Sequence, residues 1–159
     1  MSSRATPKIG DVFVIPLPDG RKAYGQYVHR QSPLGTLIRV FRRITAPREP
    51  ELSVEETDDR ELLFPPVFVG LPASLRSGRW RIIGSRPVEH FKFPLFRSTN
   101  GDKPGVWHDW RIWDGQNTTY VGSLPARYRH LEIKLVWGDE ALEDRIMGGE
   151  WARFNDRRV

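Results

Sequence analysis

Hydrophobic and polar positions alternate with a period of two over several short stretches of this chain, and a helical period is carried only near the C-terminus. Val12, Phe13, Val14 and Ile15 form a run too short for a helix and rich in the β-branched and aromatic residues that suit a buried, pleated surface. Pro16 limits that run. Pro18-Asp19-Gly20 then supplies a turn, because proline presets φ, aspartate bonds the backbone ahead of it, and glycine takes positive φ without a Cβ clash. Beyond it Ala23, Gly25 and Tyr27 alternate with Tyr24, Gln26 and Val28. The pattern predicts a β-hairpin over residues 10–28, with Gly25 marking a bulge or a close backbone approach where a small sheet curls.

Residues 35–45 continue the β-rich opening, with Leu37, Arg39, Phe41 and Arg43 on one face and Ile38, Val40, Arg42 and Ile44 on the other. The arginines predict an edge or partly exposed strand. Two prolines and almost no apolar period make residues 46–61 an exposed acidic loop. Further strands are predicted at 67–69, at 79–84, over Val106–Trp113 with a turn at Asp114-Gly115 into 118–121, and over Leu131–Trp137. A helical turn over 72–77 stops at Gly78. The last helix starts at the capping residue Asp139, places Leu142 and Ile146 four apart, and stops at Gly148-Gly149. The expected fold is mainly β (α+β): a strongly curled antiparallel sheet or open SH3-like barrel with a C-terminal helix, as a single domain over 1–159.

Composition narrows the class. The absence of cysteine excludes disulfide scaffolds and thiolate metal sites, and six Trp, eight Phe and four Tyr offer large buried areas. The chain has no apolar run of the roughly 18 to 20 residues that span a bilayer, and Met1 to Lys8 leads to no signal-peptide core. The expectation is a cytoplasmic protein with no membrane partner. Its net charge of +5 is blocky: residues 1–48 carry nine Arg or Lys against Asp11 and Asp19, whereas 49–62 carry seven acids against Arg60. An acidic segment beside a basic remainder suits docking of a charged protein as well as gripping of a phosphate backbone.

No arrangement argues for an enzyme, a metal or a cofactor. His29, His90, His108 and His130 are scattered, and His108 and Asp109, as strand neighbours, point to opposite faces. Two surfaces remain. Trp107, Trp110 and Trp113 with Arg111 suit either a core or a stacking platform, and the acidic loop suits either a solvated connector or a patch that steers a cationic partner.

The segments Lys8-Ile9-Gly10-Asp11-Val12-Phe13-Val14-Ile15-Pro16-Leu17, Asp19-Gly20, Tyr24-Gly25-Gln26-Tyr27-Val28, Gly78-Arg79-Trp80-Arg81-Ile82-Ile83-Gly84 and the closing Gly138-to-Ile146 helix are similar to the immunity protein 26 family of bacterial polymorphic toxin systems. The resemblance implies a mostly β, non-enzymatic protein that binds and neutralises a cognate toxin encoded by a neighbouring gene, as a stoichiometric inhibitor. It brings no catalytic residues. The expected partner-binding residues are Glu49, Glu51, Glu55, Glu56, Asp58, Asp59 and Glu61, with Trp107, Asp109, Arg111 and Trp113 as aromatic and polar anchors. The alternative is a nucleic-acid-binding β-barrel module that uses the basic strands and exposed tryptophans.

Overall fold

Ten strands and two α-helices run through the computed structural model, which describes residues 6–99, 108–156 and 158. The strands are β1 (Asp11–Pro16), β2 (Lys22–Gln31), β3 (Gly35–Val40), β4 (Val67–Val69), β5 (Arg81–Ser85), β6 (Phe96–Ser98), β7 (Trp110–Trp113), β8 (Thr118–Gly122), β9 (Glu132–Ile133) and β10 (Val136–Trp137). The helices are α1 (Leu71–Arg76) and α2 (Asp139–Ile146).

The predicted hairpin is β1 paired with β2, Val14 facing Tyr24 and Phe13 facing Gly25, with Gly20 at φ +89° in the turn. Gly25 is a close approach. A Cβ there would lie 2.8 Å from two ring carbons of Phe13 and 3.0 Å from the Arg39 carbonyl oxygen. The Phe13 ring has no room to yield, since it stacks on Trp80 with centroids 5.7 Å apart and both rings are buried. The Gly25→Ala variant is therefore expected to lose about 1 to 3 kcal/mol of stability in urea unfolding, although alanine is the better strand former.

Two sheets result, ordered β10-β4-β3-β2-β1-β5 and β8-β7-β6-β9. The mainly β class with a C-terminal helix and sheets that do not close is the one expected, but both sheets are mixed rather than antiparallel, because β10 runs parallel to β4 and β9 parallel to β6. These parallel pairs correct the single strand expected over Leu131–Trp137. Glu132 lies opposite Phe96 in one sheet and Val136 opposite Phe68 in the other, so the segment steps from sheet to sheet. Its alternation continues through the step, and nothing in a period of two marks where the partner changes.

A second correction concerns β3, which is internal, between β2 and β4, with Arg39 buried rather than on an exposed edge. On one face of the larger sheet Phe13, Ile38, Val40, Val67 and Trp80 pack with Leu71 and Leu75 around α1 and with Leu142 and Ile146 of α2. On the other, Val28, Leu37 and Phe68 meet Phe96 and Trp113, which joins the sheets. Trp110 and Ile112 pack separately with Leu124 and Leu131. Both faces of β7 are thus covered, and of the two readings of the tryptophans the core one holds at 110 and 113.

Candidate functional site

Charged side chains are organised into three buried networks and one open groove, and these decide which charges remain for a partner. The first network fixes the acidic loop. Arg39 donates to the Gln26 side-chain oxygen from Nε (3.1 Å) and Nη2 (2.7 Å), to the Glu89 carbonyl (2.8 Å) and to the Asp59 carboxylate (3.1 Å). Burial pushes the Arg39 guanidinium below its ordinary pKa, and Asp59 opposes that shift. Asp59 also lies 3.8 Å from Arg86 and 3.3 Å from His90. Asp59, Glu89 and His90 place ligand atoms within 4.8 Å of one another. With two guanidinium groups beside Asp59, the carboxylate is already compensated and the trio reads as an ion-pair cluster rather than a cation site.

The remaining loop acids face arginines of the sheet and of the loop itself. Glu49 pairs with Arg43 at 3.5 Å, Glu51 with both Lys22 and Arg81, Asp58 with Arg60 at 2.9 Å, and Glu61 with Arg42 at 4.0 Å. Glu56 closes a capping box with Ser53 at the head of a 3-10 turn over Val54–Glu56, and Glu55 is exposed at that turn. Hydrogen bonds from Arg60 hold the Asp58 carboxyl down at about 2, and those from Ser53 lower Glu56. The loop is no solvated connector throughout, since Leu52 and Thr57 are buried. Arg42 and Arg43 face Glu61 and Glu49 in exposed pairs, so acids and bases alternate over this surface, while Arg39 is buried.

Of the second expected group, Trp107 lies outside the described residues. Asp109 accepts from the Thr99 hydroxyl, and Arg111 lies 3.9 Å from Asp109 and over the Tyr120 ring at 5.5 Å. Trp113 is buried under Lys134, whose Nζ sits 4.2 Å from the ring centroid. The structure therefore keeps Asp109, Arg111 and Tyr120 together at the surface and withdraws Trp113 into the core.

The second and third networks tie Arg97 and Arg79 to acids and carbonyls of the C-terminal third and were not expected. Arg97, fully buried, donates to the carbonyls of Leu131 (2.9 Å), Asn155 (2.7 Å) and Arg158, and stacks over Trp110 at 4.9 Å. Burial pushes its pKa down to about 10. Arg145 grips the buried Glu132 with two hydrogen bonds, one of 2.9 Å, while the Asn155 amide donates to Glu132 at 2.9 Å. In the third network Arg79 donates to both oxygens of Glu143 (2.7 and 2.8 Å), which also accepts from the Trp80 indole at 2.9 Å. Two of these positions carried a signal in the sequence. Arg39 shares a strand face with Leu37 and Phe41, and Glu143 lies between Leu142 and Ile146 on the helix. Arg97 and Glu132 carried none, because their partners lie in distant segments.

The groove lies along α2. Gly138, Asp139, Glu140, Ala141, Asp144, Glu150 and Trp151 line an open depression of about 680 Å³. It continues into an apolar hollow of about 280 Å³ that includes Leu135, Val136, Trp137 and Phe154, with Gly138, Ala141 and Trp151 common to both. Trp151 packs edge-on against Trp137 and stacks on Phe154, and remains 43% exposed.

The described residues thus form an internally ion-paired β scaffold with charged rims and a partly apolar groove along α2. The chain belongs to the immunity protein 26 family, whose model matches residues 8–107. No curated protein and no solved structure matched it. Among the described residues no helix is long and apolar enough to cross a membrane.

Proposed function

We propose that this immunity protein neutralises a cognate toxin by binding it stoichiometrically, with the acidic loop as the part that meets the toxin first. Membership of the family over residues 8–107 carries the reading. The loop supports it physically. Asp59 anchors it to Arg39 and Arg86, so Glu49, Glu55, Glu56, Asp58 and Glu61 are exposed on a fixed support. Hydrogen bonds hold Asp58 and Glu56 below the usual carboxylate range, which keeps both anionic at any physiological pH. Fixed charge of this kind raises the rate of encounter more than the final affinity, and the gain falls as salt is added. Asp109 and Arg111 beside Tyr120 form a further polar contact area in this proposal.

Co-expression with the protein encoded immediately upstream, followed by size exclusion in high salt, tests the function. A one-to-one complex whose partner kills cells when expressed alone is the expected result, and elution of the chain by itself overturns it. Within such a complex, the combined Glu55→Lys, Glu56→Lys and Asp58→Lys variant is expected to associate about tenfold or more slowly at low salt, with the difference shrinking as salt is added. Unchanged kinetics at low salt would remove the loop from the encounter.

A further inference from the structure

We infer that the groove along α2 is the anchoring site for a toxin segment that carries lysine or arginine beside aliphatic or aromatic residues. The inference rests on the inhibitory function proposed above and adds the surface and the chemistry of what docks there. It draws nothing from the matched part of the family, since every groove residue lies between Leu135 and Phe154.

Two halves with different chemistry meet in one depression. The apolar half holds Val136 and Trp151, respectively 45% and 43% exposed, which are two of the large hydrophobic side chains this protein leaves in water. The acidic half holds Asp139, Glu140, Asp144 and Glu150. Charges nearby offset it only in part, with Arg158 beside Glu150 at the far end and Arg79 at the near one. Arg79 makes its short bidentate bonds to the buried Glu143, at 2.7 and 2.8 Å, and pairs more loosely with Asp139 and Glu140 at 3.8 and 3.6 Å. The N-terminus of α2 contributes about half a positive charge, against four carboxylates. The groove is thus left negative in a protein whose net charge is +5.

That combination selects the occupant. A purely aliphatic segment would desolvate the acids without compensation, and a nucleic acid would be repelled by them. A basic side chain with a long methylene stem satisfies both halves, its stem against Trp151 and its head among the carboxylates. The groove floor is also well determined. Trp137 and Phe154 are held by Arg145 and Arg158, which lie over their rings at 5.0 and 3.7 Å, and the Asp144 carboxylate accepts from the Trp151 backbone N–H at 2.8 Å. A preformed site loses little ordering entropy on binding. The groove and the loop also reach one short segment: Arg79, just before β5, contacts Asp139 and Glu140, and Arg81, the first residue of β5, contacts Glu51.

The test uses the full chain and the protein encoded upstream of it, with binding followed by surface plasmon resonance at physiological salt. Two variants are compared with the native chain, Glu140→Lys with Glu150→Lys, and Val136→Lys alone. These residues are exposed, Glu140 touching the third network only through its 3.6 Å pair with Arg79, and equal thermal midpoints check that the fold is kept. Each variant is expected to dissociate about tenfold faster or more, while the lysine variant of the loop changes chiefly the association rate. Hydrogen exchange on the native complex is expected to slow over residues 135–151. If the native chain binds and the groove variants dissociate at the native rate, the groove assignment is overturned and the inhibitory function stands. If the native chain does not bind, both fall together.

Discussion

The Glu132→Ala variant is expected to lose about 3 to 5 kcal/mol of unfolding free energy in urea, close to the whole stability of many domains of this size. Glu132 is buried on β9 and is held by Arg145 and by Asn155. Its removal leaves the Arg145 guanidinium, whose side chain is only 9% exposed, facing the rings of Phe64 and Trp137 at 4.0 and 5.0 Å. Cation–π attraction of about 1 to 2 kcal/mol does not replace a bidentate carboxylate in a desolvated site. The pair is also asymmetric in a way that can be measured. Replacing both members, Glu132→Leu with Arg145→Met, is expected to recover most of the loss, because the pair contributes little net energy once its desolvation is counted. A double variant as weak as the single one would mean that Asn155 and the tail, rather than the charge pair, carry the effect.

The second large effect is expected at Asp59. The Asp59→Ala variant should lose about 2 to 4 kcal/mol, at the lower end of the range for broken buried pairs because the carboxylate is 11% exposed. Its loss leaves Arg39 with only neutral acceptors, the Gln26 amide oxygen and the Glu89 carbonyl, and with Arg86 as an uncompensated neighbour. The readout is specific as well as large. Since Asp59 ties residues 57–61 to β3, amide exchange over that stretch is expected to rise well beyond the global change, and an Asp59→Asn variant should restore part of it by keeping one acceptor oxygen. Uniform destabilisation without local exchange would show that the loop is held elsewhere, for instance by the Leu52 and Val54 contacts with β1 and β2.

These two sites also show where the sequence stops being legible. The β1–β2 hairpin, the β7–β8 hairpin, α1 and α2 follow from neighbours fewer than a dozen residues apart, because turn chemistry and helix stop signals are local. The charge networks are not local. Arg39 meets Asp59 twenty residues on, and Arg97 meets Leu131 and Asn155 across 34 and 58 residues. An arginine in an alternating strand looks the same whether its partner is water or a carboxylate from a distant loop. For the same reason the sequence does not show that five of the seven acids at 49–61 pair with cations while Glu55 and Glu56 do not. The groove along α2 escaped notice because its acids sit on an ordinary helix face, and only the folding back of Trp151 and Phe154 onto Trp137 turns that face into a concavity.

The step of residues 131–137 from one sheet to the other has a consequence for how the protein is made. Synthesis proceeds from the N-terminus at about 5 to 20 residues per second, and β1, β2, β3 and β4 leave the ribosome long before their last partner exists. Until β10 arrives, the Val67–Val69 edge of the larger sheet has no neighbour, and until β9 arrives the same holds for Phe96 and Arg97. Both seams close only when the final quarter of the chain has emerged. A ribosome that stalls or terminates early within that quarter releases a chain with two open β edges, a product suited to aggregation and to proteolysis. The same segment carries Val136 and Trp137 of the groove, so assembly of the sheets and completion of the docking surface are a single, late event in the life of each molecule.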